Sequence, residues 1–231
     1  MVYNKAMNMQ GRYMTEFSHF EMNGIEGRQN RVGLLGGTFN PVHCGHICMA
    51  YIALYEFSLG EVIFLPVGDP PHKQNEYVAP ASQRLDMLRL ATQNEKRFSV
   101  STVETSRSGY TYTVDTMEML TRTRKDTDFY YIIGADTLFE LKSWRNFERV
   151  MFLTDFICIL RPGQNDSKAL QFAEQLNKDY GHKIHIATER GPAIASSDIR
   201  LLACDDVLPS GMVPVNVAHY IKQNGIYKSG V

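Results

Sequence analysis

Apolar residues recur along the chain with two alternating periods. Val32-Gly33-Leu34-Leu35 is a short apolar run that ends in Gly36-Gly37. Ile47, Ala50, Tyr51 and Leu54 then recur at i, i+3, i+4 and i+7, which predicts a helix with one apolar face. Gly60 is placed to end it. Val62-Ile63-Phe64-Leu65 predicts a second strand, stopped by Pro66. Leu85, Leu88 and Thr92 share a helical face, with Ser82 as a candidate N-cap. Residues 98–103 read as a third strand, and Val114, Met117 and Thr121 suit another helix. A fourth strand at 129–133 ends at Gly134, and a fifth at 156–160 is closed by Arg161-Pro162-Gly163. A polar helix around 167–179, a strand at Ile184-His185-Ile186, a helix after Ser196-Ser197 and one from about 215 to 223 complete the pattern.

Apolar strands alternating with helices predict an α/β fold, a Rossmann-like doubly wound, mainly parallel sheet with helices on both faces. Ligands of such sheets lie beyond the carboxyl ends of the strands, near the switch in strand order. Two predicted strands end in glycine there, at Gly36-Gly37 and at Gly134. Residues 1–30 show no sustained period, and Ile25-Glu26-Gly27-Arg28 spells a protease-cleavage linker. They read as a tag, an upstream extension or a natural disordered tail, and are set aside from the fold. That leaves 31–228 as a single domain.

Composition narrows the class. Hydrophobic residues make up 44% of the 231, enough for a core, which excludes a disordered chain. Lys and Arg number 24 against 25 acidic residues, for a net charge of −1, so there is no electrostatic coat for nucleic acid. No apolar stretch approaches the roughly 18–20 residues that cross a bilayer, so no membrane partner is expected. Four cysteines, Cys44, Cys48, Cys158 and Cys204, are too sparse for a disulfide framework and suggest a reducing, cytoplasmic setting. The oligomeric state stays open, a homo-oligomer included.

The chemistry concentrates in Gly36-Gly37-Thr38-Phe39-Asn40-Pro41-Val42-His43-Cys44-Gly45-His46. Glycines let a ligand approach the backbone closely. A helix beginning near Gly45 points its positive end at the same place. His43 and His46, three apart, fall on one side of the first helical turn. Together these features make a phosphate site. A zinc site from His43, Cys44, His46 and Cys48 is disfavoured, because Cys44 adjoins His43 and the four cannot easily converge tetrahedrally. No Lys-Ser or Lys-Thr follows the glycines, as a Walker loop requires, and the three-glycine dinucleotide fingerprint is missing.

This turn resembles the signature of the H-x-G-H nucleotidyltransferase superfamily. Four later segments narrow the resemblance: Pro70-Pro71-His72-Lys73, Tyr112-Thr113, Ile133-Gly134-Ala135-Asp136-Thr137-Leu138 leading to Trp144, and Ala195-Ser196-Ser197-Asp198-Ile199-Arg200. With Val213-Pro214, Tyr220-Ile221 and Gly225-Ile226-Tyr227, the set is similar to the bacterial nicotinate-nucleotide adenylyltransferase family over about residues 31–228. Asn40 departs from it, standing where an aspartate is common.

The resemblance implies adenylyl transfer from ATP to nicotinate mononucleotide, with Mg²⁺ carried by ATP and no metal ligand from the protein. It implies that His46 and His43 donate to the ATP phosphates, with His46 stabilising the α-phosphate transition state. Gly36, Gly37, Thr38 and the Phe39 backbone would hold phosphates. Arg200 would grip the β- and γ-phosphates, with Ser196 and Ser197 donating beside it. Gly134 leads to Asp136, which would accept from a ribose hydroxyl. On the mononucleotide side, Trp144 would stack on the pyridine ring, Thr113 would bond the nicotinate carboxylate, and Lys73 would offer a cation.

Read without the resemblance, Trp144 suits a half-buried core position equally. Asp136, Thr113 and Ser196 suit helix N-caps, and Arg200 suits a solvated helix face. Three competing functions remain: an adenylyltransferase for nicotinamide mononucleotide or phosphopantetheine, a non-catalytic nucleotide sensor, and an RNA-binding module. Intact His43 and His46 weigh against the sensor, and the near-zero net charge weighs against the RNA module.

Overall fold

The structure is a computed structural model that describes residues 30–68, 77–205, 208 and 211–228. Strand β1 (Arg31–Gly37) leads into helix α1 (Cys44–Glu56), and β2 (Glu61–Pro66) into α2 (Ala81–Thr92). Strand β3 (Phe98–Val100), α3 (Thr113–Thr123), β4 (Asp128–Gly134) and α4 (Ala135–Glu140) follow. A 3₁₀ turn at Leu141–Ser143 precedes α5 (Phe147–Leu153), β5 (Asp155–Ile159), α6 (Asp166–Tyr180) and β6 (Ile184–Ile186). Helices α7 (Ser196–Cys204) and α8 (Val215–Gln223) close the described chain.

The six strands run in the order β3-β2-β1-β4-β5-β6, and every pairing is parallel. The chain winds outward from β1 to β3, then returns to β1's other edge and winds outward again to β6. The direction of winding therefore reverses between β1 and β4, and a crevice opens at their carboxyl ends. Alternate strand residues feed two cores. Leu35, Phe64, Ile132 and Ile157 pack under α1, α2, α7 and α8. Leu34, Ile63, Tyr131 and Phe156 pack under α3 to α6. A parallel sheet covered on both faces needs apolar residues at both parities, so its strands read as unbroken apolar runs. No helix among the described residues is long and apolar enough to cross a membrane.

Four local expectations are corrected. Helix α1 buries Gly45, Cys48, Met49, Ala50, Ile52, Ala53 and Leu54, so it is enclosed almost all round rather than on one face. It ends at Glu56, before Gly60; Ser58 takes the left-handed conformation and the Leu59 amide reaches back to Leu54 at 2.9 Å, tucking Leu59 into the core. Pro80, not Ser82, occupies the N-cap position of α2. Strand β3 stops at Val100 because the chain beyond it turns inward to bury Glu104, whose carboxylate accepts from Thr116 Oγ1 at 2.9 Å.

One side chain from α2 positions the crevice. Arg84 is 1% exposed, and its guanidinium donates to four backbone carbonyls in three segments. Its acceptors are Ala79 at 2.9 Å, Thr38 at 2.9 Å, Val67 at 2.8 Å and Gly68 at 2.8 Å. Arg84 thereby ties the loop after β1 to the loop after β2 and to the entry of α2. Arg84→Met strands these acceptors in the interior and should lower the unfolding free energy by about 3 kcal/mol or more, read by urea titration. Arg84→Lys should fall between that variant and the parent. A loss below about 1 kcal/mol for Arg84→Met would show that the carbonyls find other donors.

Candidate active site

The loop from β1 to α1 is shaped by what surrounds it. A Cβ on Gly36 would collide with the Tyr131 hydroxyl, so only glycine lets that phenol pass beneath the strand end. Phe39 adopts φ 49°, a left-handed conformation uncommon for a bulky residue, and its ring is buried against Phe64 and edge-on to His46 at 4.9 Å. The Asn40–Pro41 peptide is cis. The buried Asn40 amide donates to the Tyr77 carbonyl at 2.8 Å. Its Oδ1 accepts from the Ala79 amide at 3.0 Å and from the Tyr227 hydroxyl at 2.8 Å. An aspartate here would lack the donor for Tyr77, which gives a physical reason for asparagine at this position.

His43 holds the N-cap position of α1 and is 2% exposed. Its ring stacks on that of His46, with centroids 3.7 Å apart and planes 26° from parallel. Gly45 lies under the His43 ring, which a Cβ would touch at 2.9 Å. The close stack thus accounts for the glycine between the two histidines. The His43 amide donates to His46 Nδ1 at 3.2 Å. With Nδ1 engaged as an acceptor, a neutral His46 carries its proton on Nε2 and offers it to a ligand. Burial, then the charge of Arg161, pushes the His43 imidazole down to about 3. Burial holds His46 well below the usual range too, with His43 and Arg161 adding to the effect. Both rings are neutral donors near pH 7.

Helix α7 meets the same loop. Arg200 Nη1 donates to the Asn40 carbonyl at 3.0 Å, and Ser196 Oγ to the Pro41 carbonyl at 3.0 Å. His43, His46 and Arg200 are therefore gathered around one turn. Ser196 is the first residue of α7, and Ala195 takes the cap position. Ser197 is exposed, with its hydroxyl 3.4 Å from Asp198 Oδ1. The Cys44 amide donates to the Met212 carbonyl at 2.9 Å, so one of α1's first-turn amides is already engaged. Cys44 and Cys48 line a cavity of about 520 Å³ along α1, and burial pushes their thiols up to about 11 and about 12.

Across the crevice, Gly134 is the N-cap of α4, and Asp136 lies one residue inside the helix, exposed and accepting from Gln164 Nε2 at 3.3 Å. Thr113 opens α3 behind a cap at Tyr112, beside the Tyr131 hydroxyl, whose pKa burial raises while Thr113 draws it back down. Trp144 is half-buried, edge-on to Tyr131 at 5.5 Å and to Phe156 at 6.2 Å. Thr113, Tyr131 and Trp144 thus form one wall, joined beneath Gly36 to the histidine turn. Arg145 braces it, its guanidinium 4.4 Å from the Tyr112 ring centre. Lys73 lies outside the described residues. Tyr131 and Arg84 escape sequence reasoning as site components; each sits inside an element whose pattern explains it fully.

A parallel sheet whose winding reverses between β1 and β4, with paired imidazoles at the first helix, has the layout of a Rossmann-like nucleotide-binding protein. A match to the cytidylyltransferase-like family spans residues 34–202. A protein of Desulfitobacterium hafniense (strain Y51), named probable nicotinate-nucleotide adenylyltransferase, is 37% identical over 207 residues, 88% of this chain and 99% of its own. One of the same name from Moorella thermoacetica is 37% identical over 202 residues, 87% of this chain and 93% of its own. This chain belongs to the cytidylyltransferase-like family and, within it, to the nicotinate-nucleotide adenylyltransferases. The fold is shared with Plasmodium falciparum nicotinic acid mononucleotide adenylyltransferase complexed with NaAD, at a TM-score of 0.71 and 18% identity over 86% of this chain and 98% of that one.

The neutral histidines link stability to pH. An unfolded imidazole takes up a proton near pH 6.5, whereas folded His43 resists until about 3. The unfolded state therefore binds more protons on acidification, and stability falls as pH drops below 6.5. The slope between pH 6.5 and 5 should reach at most about 1.4 kcal/mol per pH unit for each imidazole. His43→Gln should flatten it in urea titrations, and an unaltered slope would show His43 protonating freely in the folded chain.

Proposed function

We propose that this enzyme transfers the AMP moiety of ATP to nicotinate mononucleotide, giving nicotinate adenine dinucleotide and pyrophosphate, a step in NAD biosynthesis. The observation that carries the reading is the stacked His43–His46 pair beside Arg200 at one glycine-bounded turn. Full-length relatives at 37% identity that bear the adenylyltransferase name support it.

In the reaction, the 5′-phosphate oxygen of the mononucleotide attacks the α-phosphorus of ATP in line. The bond from that phosphorus to the bridging oxygen of the β-phosphate breaks, and pyrophosphate leaves with the electron pair. The attacking oxygen is already anionic, so no general base is needed. The protein's task is to position the reactants and to stabilise charge. His46 Nε2–H donates to an α-phosphate oxygen, and His43 stacks beneath it and fixes its angle. Arg200 takes the β- and γ-phosphates with Ser196 and Ser197 beside it, and Asp136 receives a ribose hydroxyl. Gly36, Gly37, Thr38 and Phe39 form the floor.

Imidazole, guanidinium and hydroxyl groups are anion ligands, and this donor set fits a Mg²⁺ held by ATP itself. The ion would shield phosphate charge when bound. Trp144 stacks on the pyridine ring and Thr113 meets the nicotinate carboxylate. An acceptor carrying an amide instead, nicotinamide mononucleotide, is the alternative reading.

The reading is tested by supplying the purified protein with ATP and each mononucleotide. Pyrophosphate and the dinucleotide should form, faster with the acid; a preference for the amide would overturn the acceptor assignment. His46→Ala should lower kcat by about 10²-fold or more, and an unaltered rate would remove it from the mechanism. Thr113→Val should erode the preference for acid over amide, whereas unchanged selectivity would move that role elsewhere.

A further inference from the structure

Arg161 stands where β5 gives way to the turn before α6. Its amide donates to Gln164 Oε1 at 2.7 Å, and Gln164 in turn donates to Asp136 at 3.3 Å. The turn after β5 is thereby locked to the start of α4, directly over the β1–β4 crevice. The Arg161 side chain is half-buried, yet its guanidinium makes no hydrogen bond or ion pair among the described residues. Arg97, also half-buried, is held by both oxygens of Glu95 at 2.9 and 3.0 Å. Leaving a half-buried guanidinium without acceptors is costly unless something outside the chain supplies them.

Its direction indicates what that is. Arg161 Nη2 lies 4.0 Å from where a Cβ on Gly134 would stand. A Cβ there would meet no other atom within 4 Å, so the space beside this nitrogen at the end of β4 is open. The charge is felt by both stacked imidazoles, which it helps keep neutral. Arg200 reaches the histidine turn from α7, and Arg161 faces it from β5.

We propose that the Arg161 guanidinium binds the α-phosphate of the nucleotide, beside Gly134 at the end of β4. This rests on the adenylyl-transfer reading above. The α-phosphate becomes the adenylyl group passed to the acceptor, and its non-bridging oxygens carry charge throughout. A guanidinium offers paired N–H donors whose spacing matches two phosphate oxygens, which an ammonium does not. With His46 neutral, a fixed cation beside it supplies the charge that the imidazole lacks.

The probes are AMP and adenosine, which share base and ribose and differ in that phosphate. Their binding to the parent, Arg161→Gln and Arg161→Lys is read by titration calorimetry, or by ligand-observed NMR where weak. Arg161→Gln should weaken AMP about tenfold or more while leaving adenosine within about twofold. Arg161→Lys should recover part of the AMP affinity. The melting temperature should stay at or above the parent's, since no protein contact is lost. Equal weakening of AMP and adenosine, or no change in either, would overturn the assignment. A parent that forms the dinucleotide beside an Arg161→Gln variant with full AMP affinity would sink this inference alone. A parent without turnover would sink the reading on which it rests.

Discussion

The crevice depends on the burial of a single guanidinium. Arg84 carries its charge into the interior and distributes it over carbonyls from the loop after β1, the loop after β2 and the entry to α2. A buried charge is tolerated only where its donors are satisfied. These donors are satisfied only if all three segments keep their places, so the same requirement that makes the charge tolerable makes the loops rigid. Asn40 adds a second tie of the same kind. Its amide holds Tyr77 and Ala79 while the Tyr227 hydroxyl comes from 187 positions later in the chain. The histidine turn is thus clamped from α2 and from the C-terminal segment before any ligand arrives, which is what preorganisation requires.

Electrostatics and packing act together at this turn. Stacking His43 on His46 over Gly45 removes both rings from water, and burial keeps them neutral. Neutral imidazoles donate hydrogen bonds without repelling one another at a ring separation of 3.7 Å. Positive charge is left to the guanidinium groups. Donor direction and net charge are therefore set by different residues.

Some of this is legible in sequence because its cause is local. The apolar runs at 32–35, 62–65, 129–133 and 156–160 mark strands because a sheet covered on both faces must be apolar at every position. Four of the six strands fall where such runs predict them, within a residue or two, and β6 does so on three residues alone. The third strand is over-read because nothing local reveals that Glu104 turns inward. The one-sided period of α1 misleads in the same way. A helix enclosed by a sheet, α2, α7 and α8 keeps little solvent face, and that enclosure is made by residues far along the chain.

What the chain determines by itself is the order of its elements and the cluster of histidines and glycines at the first turn, since both follow from neighbours within a few residues. Tertiary structure alone decides which distant groups meet that turn. Arg84 reads from sequence as one more polar position on a helix, Tyr131 as one more apolar strand residue, and Arg161 as part of a turn. Arg84 reaches the Thr38 carbonyl across the fold, Tyr131 passes beneath Gly36 from the neighbouring strand, and Arg161 comes to lie beside Gly134. No local period encodes such encounters, because they are fixed by the packing of the whole sheet and its two helical layers.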